Sequence, residues 1–285
     1  MRFEGYVCAA LAALSCAGCG DDGDASGVGS VSFNTWGEGY IQDQIPTSVF
    51  EDGWSVTYQS FLVNIAGITI ADDAGSVAAQ QAVSMVFDHK QPGVKPIATF
   101  ADIEAKNWTS VSYRIEPATA GSALGGAAEA QKSAMVAANG AVMVEGSATN
   151  GTDSKTFAWV FSQTTHYDDC KGDIDGKETE GVLVTNGGTD DVQLTIHGDH
   201  LFYDDLTSPE AKVRFQHIAD ADADDSGDVT LEELAAVQLV DLPPSSGPFG
   251  TGSSSSVNDL RAFVTALSGT VGHYRGEGEC ISSEE

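Results

Sequence analysis

A long apolar run of the chain reads Phe61-Leu62-Val63-Asn64-Ile65-Ala66-Gly67-Ile68-Thr69-Ile70 and ends at the turn sequence Asp72-Asp73-Ala74-Gly75. β-Branched and aromatic residues dominate this run, as they do in strands. It has too few polar positions for simple alternation, which is typical of a strand buried on both faces. The run therefore predicts a long strand, and the alternating residues 54–58 predict another before it.

Further strand-like segments follow, with Gly-rich turns and little helix between them. They cover residues 111–115, 141–146, 155–161 and 191–197. This pattern favours a mainly β fold, an antiparallel β-sandwich body with a C-terminal helical segment. We expect a signal peptide over 1–18, a flexible acidic tether over 19–30, the sandwich over 31–200, and a helical segment with a Cys-containing tail over 201–285.

The composition is strongly acidic. Asp and Glu number 42 against 13 Lys and Arg, which gives a net charge of −29. Such a charge repels nucleic-acid phosphates and anionic membrane surfaces and concentrates cations near the protein. We therefore expect no nucleic-acid partner.

One acidic segment, residues 222–233, has oxygen-bearing side chains at the spacing that a calcium loop needs. It reads Asp-Ala-Asp-Asp-Ser-Gly-Asp-Val-Thr-Leu-Glu-Glu. Gly227 lies at position 6, where the chain turns sharply, and Glu233 at position 12 can supply two oxygens. The expected calcium-binding residues are Asp222, Asp224, Ser226, Asp228, Thr230 and Glu233.

This segment and its flanks, residues 208–242, resemble the EF-hand family of calcium-binding motifs. Ser208-Pro209-Glu210 is typical of a helix N-terminus, and apolar residues at helical spacing lie on both sides of the loop. The resemblance is local and implies Ca²⁺ as the bound ion. Since sensor EF-hands usually come in pairs and the sequence has no second hand, we expect a structural ion with a Kd of roughly 0.1 to 1 mM.

A histidine-rich sequence is the second candidate site. His197, Asp199 and His200 end a predicted strand, and their imidazole and carboxylate groups can ligate copper or zinc. His89 and His273 can complete the coordination sphere if the fold brings them near.

A structural interpretation of the same histidines stays open. In it, Gln193, Thr195 and His197 form the solvent face of a strand whose other face packs inward, and His200 packs or caps a turn.

The N-terminus is similar to that of bacterial lipoproteins. Residues 7–18 are apolar and small but too few to span a bilayer, which is typical of a signal-peptide core. Ala17 and Gly18 precede Cys19, which is the expected acylated residue, and Cys16 stays open as the alternative. Gly20 directly after Cys19 favours an outer-membrane lipoprotein, and a cleaved secretory signal with a periplasmic or extracellular protein is the other interpretation.

Cysteine usage indicates an oxidising compartment. Removal of the signal peptide and acylation of Cys19 leave Cys170 and Cys280, which we expect to form a disulfide.

Sequence motifs of common catalytic sites are missing. The chain has no Gly-x-Ser-x-Gly elbow, no His-Glu-x-x-His and no phosphate-binding Gly-x-x-x-x-Gly-Lys. We therefore expect a lipid-anchored calcium-binding protein of the cell envelope rather than an enzyme, and a transition-metal-binding lipoprotein is the alternative. A protein or glycan partner of the sandwich cannot be inferred from the sequence.

The anchoring hypothesis predicts that Cys19→Ser releases the protein into the soluble fraction, because the lipid is its only expected membrane contact. Fractionation and fatty-acid labelling measure this. If the variant stays labelled and membrane-bound while Cys16→Ser is released, the acylated residue is Cys16.

Overall fold

The computed structural model describes residues 27–174, 176–243, 247 and 249–285. The predicted signal peptide, both candidate acylation sites and most of the tether lie outside the described residues. The first strand begins at Val28, so residues 28–30, which we expected in the tether, belong to a sheet.

The protein is mainly β, as the sequence predicts. The strands, numbered in chain order, are β1 Val28–Gly37, β2 Ser55–Ala71, β3 Val77–Gln80, β4 Met85–Asp88, β5 Lys95–Glu104, β6 Asn107–Trp108, β7 Ser110–Ile115, β8 Ala123–Leu124, β9 Val142–Thr149, β10 Ser154–Phe161, β11 Thr165–Asp168, β12 Lys171–Ile174, β13 Lys177–Glu180, β14 Val182–Leu183, β15 Thr189–Ile196, β16 Gly272–Tyr274 and β17 Ile281–Glu284. The two strands predicted over residues 54–58 and 61–70 form one continuous strand, β2.

Helices are short. They are α1 Gly39–Gln42, α2 Glu129–Ala137, α3 Gln216–Ala219, α4 Leu231–Ala236 and α5 Leu260–Ser268, with 3₁₀ turns at Asp199–Phe202 and Leu239–Asp241. Within the described residues, we find no helix with the length and apolarity to cross a membrane.

Two sheets form the sandwich. One has the order β16-β15-β1-β5, and the other has the order β10-β9-β2-β7-β11-β17, with β3 and β4 paired to β2 and β8 paired to β4. Most pairs are antiparallel, but β1 pairs with β15 in parallel, as does β4 with β8. Phe33 of the first sheet and Phe61 of the second are fully buried in one continuous core.

The C-terminal residues share this core with the strands. The Phe157 ring on β10 lies 6.0 Å from Phe202 and 6.3 Å from Phe215, and Trp54 lies 5.0 Å from Phe215. Trp54 Nε1 also donates a hydrogen bond to Gln216. The sandwich and the C-terminal segment are therefore packed as one unit.

The sequence predicts a helix from Pro209 to Ile218. This prediction is wrong for most of the segment, because only Gln216–Ala219 is helical. Carboxylates bind the backbone N–H groups that a helix would use. Asp204 Oδ1 accepts from Lys212 N, and Asp52 Oδ2 accepts from the N–H groups of the two residues that precede His217. Tertiary hydrogen bonds thus override the local helical pattern.

The last two strands each join one of the two sheets. Strand β16 pairs with β15, and β17 pairs with β11. Between them, Cys280 forms the expected disulfide with Cys170 across a sequence separation of 110 residues. The bond holds the tail against the sandwich.

The disulfide prediction can be tested on stability. In the chain-entropy model, a loop of this length contributes about 4 to 5 kcal/mol to the free energy of unfolding. We expect a Cys170→Ser/Cys280→Ser double variant to lose a large part of that value in denaturant unfolding. An unchanged unfolding midpoint, with no free thiol in the wild type as the control, would contradict the expected stabilisation.

Candidate metal centre

Three histidines meet where β15 ends and β16 begins. Strand β15 pairs with β16 in the register Thr195↔His273 and Ile196↔Gly272, and His197 N donates to the carbonyl of Val271. His197 directly follows β15. His200 lies in the 3₁₀ turn Asp199–Phe202 and so comes back toward the strand end.

Tight packing fixes this turn. Tyr58 Oη donates a hydrogen bond of 2.6 Å to the carbonyl of Gly198. A Cβ at Gly198 would lie 2.6 Å from Ile41 Cγ1 and 2.9 Å from the Tyr58 ring. Glycine is therefore required at position 198, between His197 and Asp199, because β2 and α1 pack closely against the turn.

The imidazole rings of His197, His200 and His273 are close together. The ring centroid of His197 lies 4.2 Å from that of His273 and 5.2 Å from that of His200, and His200 and His273 are 4.8 Å apart. One nitrogen of each ring lies within 4.8 Å of the others. This spacing is compatible with three ligands of one metal ion.

Neighbouring groups orient two of these rings. His197 Nδ1 lies 3.3 Å from Glu38 Oε2, while His197 Nε2 is buried without a hydrogen-bond partner. His200 Nδ1 lies 3.1 Å from Thr270 Oγ1, and that hydroxyl donates to the carbonyl of Leu267. Since the hydroxyl proton is used, Thr270 accepts from Nδ1–H, and the lone pair of His200 is on Nε2.

Two histidines of the triad, His200 and His273, have a lowered pKa and are therefore neutral. Burial, followed by the effects of the adjacent His273 and His197, lowers the pKa of His200 to about 3. Burial, followed by the effect of His197, lowers the pKa of His273 to about 4. Neutral imidazole is the form that binds metal ions.

Carboxylates lie on the other side of His197. One oxygen each from Glu38 and Glu277 lies within 4.8 Å of the other and of a nitrogen of His197. Burial raises the pKa of Glu38 and of Asp199 above their usual values, and His197 partly opposes both shifts. Asp199 Oδ2 accepts a hydrogen bond from Tyr203, whereas its buried Oδ1 has no partner.

A cleft of about 510 Å³ gives access to the cluster. His200, Tyr203, His273 and Glu277 are among the residues that line it. Ions and small ligands can therefore reach the histidines from solvent.

The structure brings together only some of the predicted transition-metal ligands. His197 and His200 converge with His273, whereas Asp199 lies beside them without a ligand atom in the triad. His89 is elsewhere, hydrogen-bonded to Thr35. His273 was a weak candidate in the sequence because only the pairing of β15 with β16 brings it to His197.

The structural interpretation of this strand is wrong about solvent exposure. Thr195 is 1% exposed and His197 is 4% exposed, so these positions do not form a solvent face. Thr195 Oγ1 instead donates to the carbonyl of Gly276 in the turn after β16.

The acidic loop, residues 222–233, is a second cluster. Oxygens of Asp222, Asp224 and Glu233 lie within 4.8 Å of one another. Gly227 has φ 83°, which suits the sharp turn expected there. Glu233 accepts from Ala223 N through one oxygen and from Thr230 N through the other, so it closes the loop.

Two other residues that the sequence predicts to bind calcium, Ser226 and Thr230, form hydrogen bonds within the loop. Ser226 N donates to Asp222 and Asp224, and Thr230 Oγ1 accepts from Glu233 N as the N-cap of α4. Ser226 Oγ and the carbonyl of Asp228 are 3.3 Å apart.

Strand β10 pairs with the acidic loop. Thr156 N donates to the carbonyl of Gly227, and Val229 N donates to the carbonyl of Thr156. Lys155 forms an ion pair with Asp222, and this hydrogen bond is the main reason that the pKa of Asp222 is lowered. An edge strand of the sandwich is thus hydrogen-bonded to the acidic loop.

Comparisons with known proteins give little further information. No family model matches the chain, and no curated protein matches it. Among solved structures, MbnP from Methylosinus trichosporium is similar, with 12% sequence identity over 81% of this chain and 96% of that one, and a TM-score of 0.31. A similarity this weak does not support a functional inference, so the function is argued from the chain's own residues.

Proposed function

We propose that the protein binds a transition-metal ion, copper or zinc, through His197, His200 and His273. The observation that supports this most is the convergence of one nitrogen from each of the three rings within 4.8 Å. Three imidazoles suit both metals, and a three-ligand site leaves a coordination position for water or another ligand. That position would be reached from the cleft.

The surroundings of the triad favour metal binding over a structural role. A buried imidazole whose nitrogens have no hydrogen-bond partner is costly in a folded protein. His197 Nε2 and His273 Nδ1 are both buried and unpartnered. Coordination of a metal ion would satisfy such atoms, while Glu38 holds the ring of His197 and Thr270 holds the ring of His200.

With the N-terminus described above, the protein would present this site in the bacterial cell envelope. The lipid on Cys19 would keep it at the membrane, and the acidic surface would raise the local concentration of cations.

The triad predicts that purified protein retains at least one copper or zinc ion per chain in excess calcium. We expect His200→Ala to lower the affinity for the ion at the triad by more than about 100-fold. The reason is that loss of a ligand lowers the affinity more than loss of the group that orients the ligand. Competition with a chromogenic chelator measures the affinity. His166→Ala, at a half-exposed histidine on β11, is the matched control and should bind normally.

An unchanged metal affinity in His200→Ala, with the fold intact by circular dichroism, would contradict the proposed site.

The acidic loop supports a second proposal, a structural calcium ion. The convergence of the Asp222, Asp224 and Glu233 carboxylates gives the hard oxygen ligands that calcium prefers. Lys155 supplies a positive charge to Asp222 in this structure. A calcium ion bound by Asp222 would compete with this ion pair, and it would tie α4 to the preceding segment through Glu233.

Calcium binding predicts a loss of affinity in Glu233→Gln, because the substitution removes a charged bidentate ligand while α4 keeps its buried face. At ten times the Kd, calcium should add about 1.4 kcal/mol to the free energy of unfolding of the wild type. Calorimetry and melting with and without chelator measure both effects.

Asp225→Asn is the control for calcium binding. Asp225 has φ 56°, a conformation that Asn tolerates, and its side chain is not among the converging carboxylates. A wild type that gives no binding heat at millimolar calcium, and melts alike with and without chelator, would exclude this second site.

A further inference from the structure

His197 belongs to two groups of converging ligands at once. On one side its partners are His200 and His273, and on the other they are Glu38 and Glu277. Imidazole has two nitrogens on opposite edges of the ring. Since Nδ1 lies 3.3 Å from Glu38 Oε2, the unpartnered Nε2 is left for the histidine side.

The carboxylate side carries negative charge without a fixed cation. Among the described residues, no lysine or arginine forms an ion pair with Glu38, Asp199 or Glu277. Asp199 is only 8% exposed, and its Oδ1 has no hydrogen-bond partner. Buried carboxylates are normally paired with a cation or coordinate a metal ion.

The fold holds Glu277 near this position. Glu277 lies in the turn that joins β16 to the tail, where Tyr274 pairs with Gly278. Thr195 Oγ1 donates a 2.6 Å hydrogen bond to the carbonyl of Gly276, and Arg275 forms an ion pair with Asp190. These contacts on both sides of the turn hold Glu277 beside His197, with a carboxylate oxygen within 4.8 Å of a nitrogen of that ring.

We propose that Glu38, Glu277 and Nδ1 of His197 form a second metal position for a borderline divalent cation such as Zn²⁺, so that His197 bridges two ions. This inference rests on the proposed function of the histidine triad. Zinc accepts both imidazole nitrogen and carboxylate oxygen, whereas the all-nitrogen side also suits copper. Occupation of both nitrogens releases the remaining ring proton of His197 to solvent, which leaves a bridging imidazolate.

A simpler role for Glu38 gives a different expectation. If Glu38 only orients His197, one carboxylate is enough, and Glu277 makes no contribution to metal content. The Glu277 side chain is exposed and has no assigned task in holding the triad, whereas the Glu277 backbone is hydrogen-bonded to His273 and is retained in Glu277→Gln. The second carboxylate is therefore the residue whose substitution separates the two interpretations.

Zinc stoichiometry tests the proposal. Metal-free full-length protein is titrated with zinc in excess calcium, which keeps the acidic loop occupied. We expect two zinc ions per wild-type chain and one per Glu277→Gln chain. Glu279→Gln is the matched control because Glu279 lines the same cleft but belongs to neither ligand group, and it should bind two.

Paramagnetic resonance provides a second measurement. Two Cu²⁺ ions bridged by an imidazolate couple magnetically, so the signal of fully copper-loaded protein should be much weaker than one spin per copper. Glu277→Gln should restore the full signal of an isolated Cu²⁺ ion on the histidine side.

The possible outcomes distinguish the two proposals. One zinc per wild-type chain, lost in His200→Ala and unchanged in Glu277→Gln, would overturn the second position and leave the triad intact. No zinc in any form would remove the triad as well. Two ions lost one at a time, by Glu277→Gln and by His200→Ala, would support both.

Discussion

The pairing of β16 with β15 is the contact on which the rest of the candidate metal centre depends. It brings the last part of the chain beside a strand that precedes it by about eighty residues and sets the register Thr195↔His273. Without this pairing, His273 has no relation to His197, and the turn that carries Glu277 is not held by Thr195. The Cys170–Cys280 disulfide ties down the chain just beyond this turn.

Burial and charge act together at this centre. The protein carries a net charge of −29, yet the histidine triad contains two neutral imidazoles, His200 and His273, desolvated by the sandwich. The general acidity attracts cations without choosing among them, whereas buried nitrogen ligands select softer ions. The acidic loop uses the same surface charge in an exposed, oxygen-rich setting, which suits a hard ion.

The sequence predicts local patterns well and long-range pairing poorly. The apolar run within β2 and the alternation within β10 and β15 were sufficient to predict strands and the fold class. The prediction of a helix over Pro209–Ile218 was wrong because two carboxylates outside this segment accept hydrogen bonds from its backbone N–H groups. Asp52 is distant in the sequence, and Asp204 lies shortly before the segment. His197 and His200 were recognisable as neighbours, but His273 and Glu38 enter the site through strand pairing that no local spacing reveals.

The contact between the acidic loop and β10 has a consequence for how the protein behaves among other copies of itself. Strand β10 lies at an edge of the large sheet, and such an edge invites pairing with another chain. Here the N–H and C=O groups of Thr156 are already bonded to Gly227 and Val229. The loop therefore covers this sheet edge at Thr156, so another strand cannot pair with β10 at that residue.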